Sequence, residues 1–267
     1  GAIKHNNRGV VMGSVSYGKG SVQVLYRLDD AALKLTIAQY LTPGDISIQS
    51  VGIVPDIEIL PISVDKETMG LHSGEAARRG EENLKGHLTS AKTTRTKSDT
   101  RLKILYRDPS KDLDEPDQLT RLAQDFLLAA QSTNRKKALI QASSMLTSKA
   151  KAEDNAIAAK LDKLGINWEA GTNPSKPNLR TKITLQGGSN PVKAGEKVTL
   201  RAEVTNDSKR PLHRIHGVTK SSLRFLNGVE LVFGKIEPGE TRSWSAQLTI
   251  PDSQHTSSDR LKLVFFA

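Results

Sequence analysis

The stretch Gly13-Ser-Val-Ser-Tyr-Gly-Lys-Gly-Ser-Val-Gln23 sets three serines, a lysine and an amide among glycines. Those are the ingredients of either phosphate binding or lysine-assisted nucleophilic attack. Gly13-x4-Gly18-Lys19 nearly matches a phosphate-binding loop, but Gly20 stands where a Ser or Thr would ligate magnesium, and a strand pattern follows where a helix should begin. Ser16-x-x-Lys19 matches the Ser-x-x-Lys pair of penicillin-binding enzymes, which sets both residues on one helical turn. Glycines on both sides of Lys19 and a β-rich flank argue against a helix there, and no Lys-Thr-Gly or Ser-Asp-Asn partner accompanies it.

The elements around this stretch read as short strands. Gly9–Gly13 is a compact apolar run; Ser21–Leu28 and Ala32–Tyr40 alternate or are β-branched and meet through Asp29-Asp30, the pattern of a hairpin. Thr42-Pro-Gly44 is a turn by its own chemistry, Pro fixing φ and Gly tolerating positive φ. Residues 61–112 mix charges with Ser, Thr, Gly and Lys and read as a mostly irregular linker, least apolar from Ser90 to Thr100.

Residues 113–167 read as a helical hairpin. Leu119, Leu122, Ala123, Phe126, Leu127 and Ala130 share one helix face after Pro116, and a second periodic run, Ala138–Leu164, ends at Gly165, a C-cap residue. Residues 168–178, with two prolines, read as a second linker, Trp168 being a docking anchor. From Leu179 the period changes to two. Thr181–Gln186, Lys197–Thr205, Leu212–Thr219, Val229–Phe233, Arg242–Ile250 and Leu261–Phe266 are strand candidates, so 179–267 reads as an immunoglobulin-like β-sandwich with Trp244 in its core. The chain is therefore expected to be α+β and multidomain: a β-rich part over 1–60, a helical segment and a C-terminal sandwich.

Four blocks, Ala2-Ile-Lys-His-Asn-Asn-Arg-Gly-Val-Val11, Tyr17-Gly-Lys-Gly-Ser-Val-Gln23, Ala32-Leu-Lys-Leu-Thr-Ile-Ala-Gln-Tyr-Leu-Thr-Pro-Gly44 and Gly52-Ile-Val-Pro-Asp-Ile57, resemble consecutive blocks of the carboxyl-terminal processing (tail-specific) serine proteases. The resemblance covers residues 1 to about 60, in register. It implies that 1–60 is the C-terminal part of a protease catalytic domain. It further implies that Lys19 is the general base of a Ser-Lys dyad and that Gln23 positions its amine. The working form of such a base is the neutral amine, which burial beside apolar strands favours. By the same resemblance the nucleophilic serine, the oxyanion hole and a PDZ domain lie ahead of Gly1, so the chain is expected to be a C-terminal fragment without peptidase activity of its own. Its closing run, Leu261–Ala267, also reads as interrupted. Protein or peptide substrates and export, commonly to the periplasm, follow from the resemblance too. The reading from another class is a non-catalytic protease-like scaffold that docks a partner through the sandwich.

Composition bounds the rest. Of 267 residues 36% are hydrophobic and 25% charged, with net charge +10; the basic residues are scattered among acids rather than clustered with aromatics, which argues against nucleic acid as partner. The absence of cysteine rules out disulfides, thiolate metal sites and a cysteine nucleophile. No run approaches a membrane span. His213-x-x-His216 lacks a third ligand at metal spacing, so no metal and no cofactor is expected. Ser14, Ser16 and Ser21 read as strand and turn serines, Tyr17 and Tyr40 as packing residues, and Asp56 as a turn and capping residue.

Overall fold

Asp29 takes φ +40°, a left-handed value that a short polar side chain tolerates, and so turns β2 (Ser21–Leu28) into β3 (Ala31–Gln39). In the computed structural model of the chain, residues 1–66, 69–72, 80–84, 88, 97–106, 117–189, 191–257 and 259–266 are described. Ahead of the hairpin lie α1 (Ala2–His5) and β1 (Met12–Gly13); after it come β4 (Leu41–Thr42) and β5 (Ile46–Ser47), which pair around Pro43 and Gly44. Opposite residues in the hairpin point to one side, so Val24 with Leu35 and Tyr26 with Leu33 make one face, while Gln23 with Thr36, Leu25 with Lys34 and Arg27 with Ala32 make the other. The apolar face is left open: Tyr26, Leu28, Leu33 and Leu35 are exposed.

Two compact units divide the chain, the first formed by 1–61 with 77–153, the second by 62–76 with 154–267. The first unit has its core where β1 runs parallel to β6 (Ile57–Ile62), with β7 (Thr100–Leu105) on the far side of β6. Ile57 and Ile59 of β6 and Leu102 and Ile104 of β7 pack with Leu122 and Phe126 of α2 (Gln118–Ala129), Ala138 of α3 (Arg135–Gln141) and Leu146 of α4 (Ser143–Asp162). Asp117 starts α2 by accepting from the N–H groups of Leu119 and Thr120, and Asn134 starts α3 by accepting from Lys137 N–H. The periodic run expected as one helix from Ala138 is thus two helices that meet at Ala142.

The stretch 61–112, read as a linker, is corrected where it is described: it supplies strand β7 and the short 3₁₀ turn Glu81–Asn83 to the first unit, while 62–76 joins the second. Buried Glu153 accepts from Leu105 N–H at 3.0 Å, so β7 is tied to α4 by a side chain a sequence scan passes over. Pro116 and most of Ser90–Thr100 lie outside the described residues.

The second unit holds two three-stranded antiparallel sheets. In one, β9 (Lys197–Asn206) lies between β8 (Leu179–Gln186) and β12 (Thr241–Thr249); in the other, β10 (Leu212–Lys220) lies between β11 (Glu230–Ile236) and β13 (Lys262–Phe266). Alternate residues of β9, Leu200, Ala202 and Val204, share a core with Leu212, Ile215, Leu231, Phe233 and Ile236, and Trp244 packs against its margin. The mixed α and β composition agrees with the expected class.

Residues 168–178 are not a free linker. Asn173 donates to His213 C=O at 2.9 Å and accepts from its N–H at 2.7 Å, which lays the segment along β10. Trp168 is buried within the same unit, its ring under the Arg214 guanidinium and its carbonyl accepting from Arg214.

Fully buried Asn206 closes this unit's turn region, its amide donating to the carbonyls of Arg210 and Ile236, both at 2.9 Å, and accepting from Ser208 N–H at 2.9 Å. Asn206→Ala should cost about 1–3 kcal/mol by leaving those groups unpaired. Equilibrium denaturation followed by tryptophan fluorescence reads it, because Trp168 and Trp244 both belong to this unit.

Candidate functional site

The loop from Ser14 to Gly20 leaves β1 and enters β2, and it is stitched along its length to residues 47–53. Ser16 N–H donates to Ile53 C=O at 3.1 Å and Ile53 N–H to Ser16 Oγ at 2.7 Å. Ser50 N–H donates to Gly18 C=O at 2.8 Å, Gly20 N–H to Gln49 Oε1 at 2.8 Å, and Tyr40 N–H to Gly20 C=O at 2.7 Å. The approach is too close for side chains. A Cβ on Gly52 would lie 2.0 Å from Ser16 O, and one on Gly18, whose φ is +89°, would lie 2.7 Å from Gly52 N.

Residues 19, 21 and 23 fall on one side of the extended chain, and the structure brings them together. Lys19 Nζ donates to Ser21 Oγ at 3.0 Å and to Gln23 Oε1 at 3.4 Å. A register shift between Val22 and Gln23 sets Gln23 opposite Thr36, and Gln23 Nε2 donates to Thr36 Oγ1 at 3.2 Å. The Lys19 side chain is 45% exposed, which corrects the expectation of burial beside apolar strands. Strand alternation explains it: Val22, Val24, Tyr26 and Leu28 of β2 point to the opposite face, and Lys19 shares its side with serine and amide groups.

Two further residues complete the surroundings. Glu81 Oε1 lies 3.9 Å from Lys19 Nζ and accepts from Gln49 Nε2 at 3.3 Å; Gln49 is fully buried and Glu81 nearly so. Glu81 N–H also donates to Tyr17 C=O at 2.9 Å. Nothing in the local pattern of Gly80-Glu-Glu82 marks this contact, since it is made across 62 residues by tertiary folding. Tyr17 and Tyr40, expected to pack, are exposed.

Asp56 is no turn residue. It is fully buried, its Oδ2 accepts from Val11 N–H at 2.8 Å, and its Oδ1 meets Lys4 Nζ at 3.1 Å and Arg135 Nη2. Burial opposes its ionisation, yet the Arg135 hydrogen bond, the Val11 N–H and Lys4 outweigh it and hold the carboxyl below its usual range. This cluster binds α1, the strand edge at Val11 and α3 into one piece.

The histidine pair divides. His216 is buried among Trp168, His72 and Phe266, while His213 lies against the 168–178 segment. Among the described residues no group of three His, Cys, Asp or Glu side chains is placed to hold a metal.

Residues 1–59 match the model of peptidase family S41. Over these residues the chain is similar to that family. Lys19, Gln23 and Asp56 lie within the S41 segment, whereas Glu81 lies beyond it. The Carboxy-terminal-processing protease of Bartonella bacilliformis is 36% identical over 114 residues, 42% of this chain and 25% of that protein. The chloroplastic Carboxyl-terminal-processing peptidase 2 of Arabidopsis thaliana is 43% identical over 68 residues, 25% of this chain and 13% of that protein. The Carboxyl-terminal-processing protease of Picosynechococcus is 40% identical over 62 residues, 23% and 15% of the respective chains. The chain thus spans a quarter or less of the length of these curated relatives. Among the described residues no helix is long and apolar enough to cross a membrane.

Proposed function

We propose that the chain is part of a serine endopeptidase of the carboxyl-terminal processing type, with Lys19 as general base and Gln23 holding its amine in place. The observation that carries this reading is the Lys19–Ser21–Gln23 arrangement inside the S41 segment. A serine hydroxyl attacks the peptide carbonyl carbon while Lys19 Nζ takes its proton. As the C–N bond breaks, Lys19 returns that proton to the leaving amine, and water then hydrolyses the acyl-enzyme. The serine lies outside residues 1–267. Ser16 Oγ accepts from Ile53 N–H, and Ser21, buried, accepts from Lys19. The substrates are proteins or peptides, the enzyme acts after export, and the two sheets of the second unit form an immunoglobulin-like sandwich.

The test is acyl-enzyme trapping. A longer protein containing this sequence is incubated with an unstructured polypeptide, quenched and mapped by peptide mass spectrometry. The acyl group is expected on a serine outside 1–267, with no turnover by 1–267 alone. Turnover by 1–267 would refute the placement of the serine, and an inert longer protein would favour the scaffold reading.

A further inference from the structure

Among the described residues three side-chain oxygen atoms face the Lys19 amine: Ser21 Oγ at 3.0 Å, Gln23 Oε1 at 3.4 Å and Glu81 Oε1 at 3.9 Å. An ammonium has three N–H donors and no acceptor, so this arrangement suits the charged form. The carboxylate is held from two sides. Gln49, fully buried, accepts from Gly20 N–H through Oε1 and donates to Glu81 through Nε2, so one amide ties the backbone beside Lys19 to the carboxylate facing it. The Glu81 N–H, bonded to Tyr17 C=O, fixes the 3₁₀ turn to the same loop.

We propose that Glu81 is a positioning residue for Lys19: clamped by Gln49, its carboxylate is the counter-ion that sets where the amine sits. This rests on the reading of Lys19 as base. A base is needed neutral, while a nearby carboxylate favours the ammonium, so Glu81 trades activity at low pH for a defined amine position. The other charged or titratable groups on this side are Arg27 and Lys34 on the Gln23 face of the hairpin, Glu82 beside Glu81 in the turn, and the Tyr17 phenol.

The coupling is measurable without catalysis. In residues 1–267 with reductively ¹³C-methylated lysines, the Lys19 resonance is assigned through Lys19→Arg and titrated by NMR. Glu81→Gln keeps the size of the side chain and removes its charge, and should lower the Lys19 midpoint, the exposure of Lys19 limiting the effect. Glu81→Asp, which keeps the charge but draws it back, should give a smaller shift in the same direction and serves if Glu81→Gln does not fold. Glu82→Gln should shift it less than Glu81→Gln. An unmoved midpoint in a folded Glu81 variant overturns the proposal. In the longer protease, Glu81→Gln should move the rising limb of kcat to lower pH by the same amount. If the NMR midpoint moves and the limb does not, the Glu81–Lys19 coupling stands and the base role of Lys19 falls.

Discussion

Lys19→Arg should abolish peptide hydrolysis by the longer protease almost as completely as Lys19→Ala, lowering kcat by at least about 10²–10⁴-fold, the range that one positioned proton-transfer group supplies. Arginine keeps the positive charge and can reach the same acceptors, but its guanidinium does not deprotonate in any working range. A residue that acted only as a cation would tolerate the exchange. Gln23→Ala leaves the base in place and removes one of its supports, so the loss should be smaller and fall on kcat more than on KM. Steady-state kinetics on one unstructured substrate gives the ordering. Near wild-type activity in Lys19→Arg together with an inactive Gln23→Ala would move proton transfer away from Lys19.

Asp56→Ala should be the most damaging of the substitutions considered for stability, costing roughly 3 kcal/mol because it removes the buried counter-ion that Lys4 and Arg135 share, leaving Lys4 with the Val54 carbonyl and Arg135 with the more exposed Asp99. The readout must come from the first unit. Both tryptophans belong to the second, so denaturation is followed by far-UV circular dichroism, to which α2 and α3 contribute, and by tyrosine absorbance. The same carboxyl gives the unit an acid limit. Its pKa is depressed on folding, so its contribution is complete above the ordinary aspartate value of about 3.9 and is lost as pH falls through the lower native value. Asp56→Ala should therefore flatten the decline in stability below about pH 4. A destabilisation within 1 kcal/mol, about that of an exposed pair, would mean that Asp56 is not the hub its contacts suggest.

What the sequence discloses and what it hides follow the range of the forces involved. The β2–β3 hairpin was legible to within a residue, because alternation and the Asp29-Asp30 turn act locally. The apolar face of α2, repeating at helical spacing, and the six strands from Leu179 on were legible too, though β8 begins two residues before the expected Thr181 and β11 runs three residues past the expected Phe233. Strand β7 was missed because Thr100–Leu105 sits among polar neighbours and its alternation is short. The break at Ala142 was missed because Ala142, buried in the core, is itself an excellent helix former and carries no local stop signal. At the site, Lys19 and Gln23 stood out through residue type and resemblance. Gln49 and Glu81 did not, since a buried polar residue looks like any surface residue until its partner is known. Asp56 shows the same limit. Following a proline it read as a turn, and only the return of Arg135, 79 residues later, makes it a buried anion.

The second unit is not contiguous, and that has a consequence during synthesis. The N–H groups of Leu71 and His72 donate to the Glu230 carboxylate, 158 residues further on from His72, and Ser63 pairs with Gly70 in the same piece. A ribosome adding about 5–20 residues per second leaves that early piece waiting roughly 8–30 seconds for the acceptor it needs, while 77–153 emerges in between and can close the first unit. Its Ile62, Val64 and Leu71 are buried in the finished fold. That early piece therefore cannot take its final place until residue 230 has been added, and codon choice between the two pieces would tune the wait.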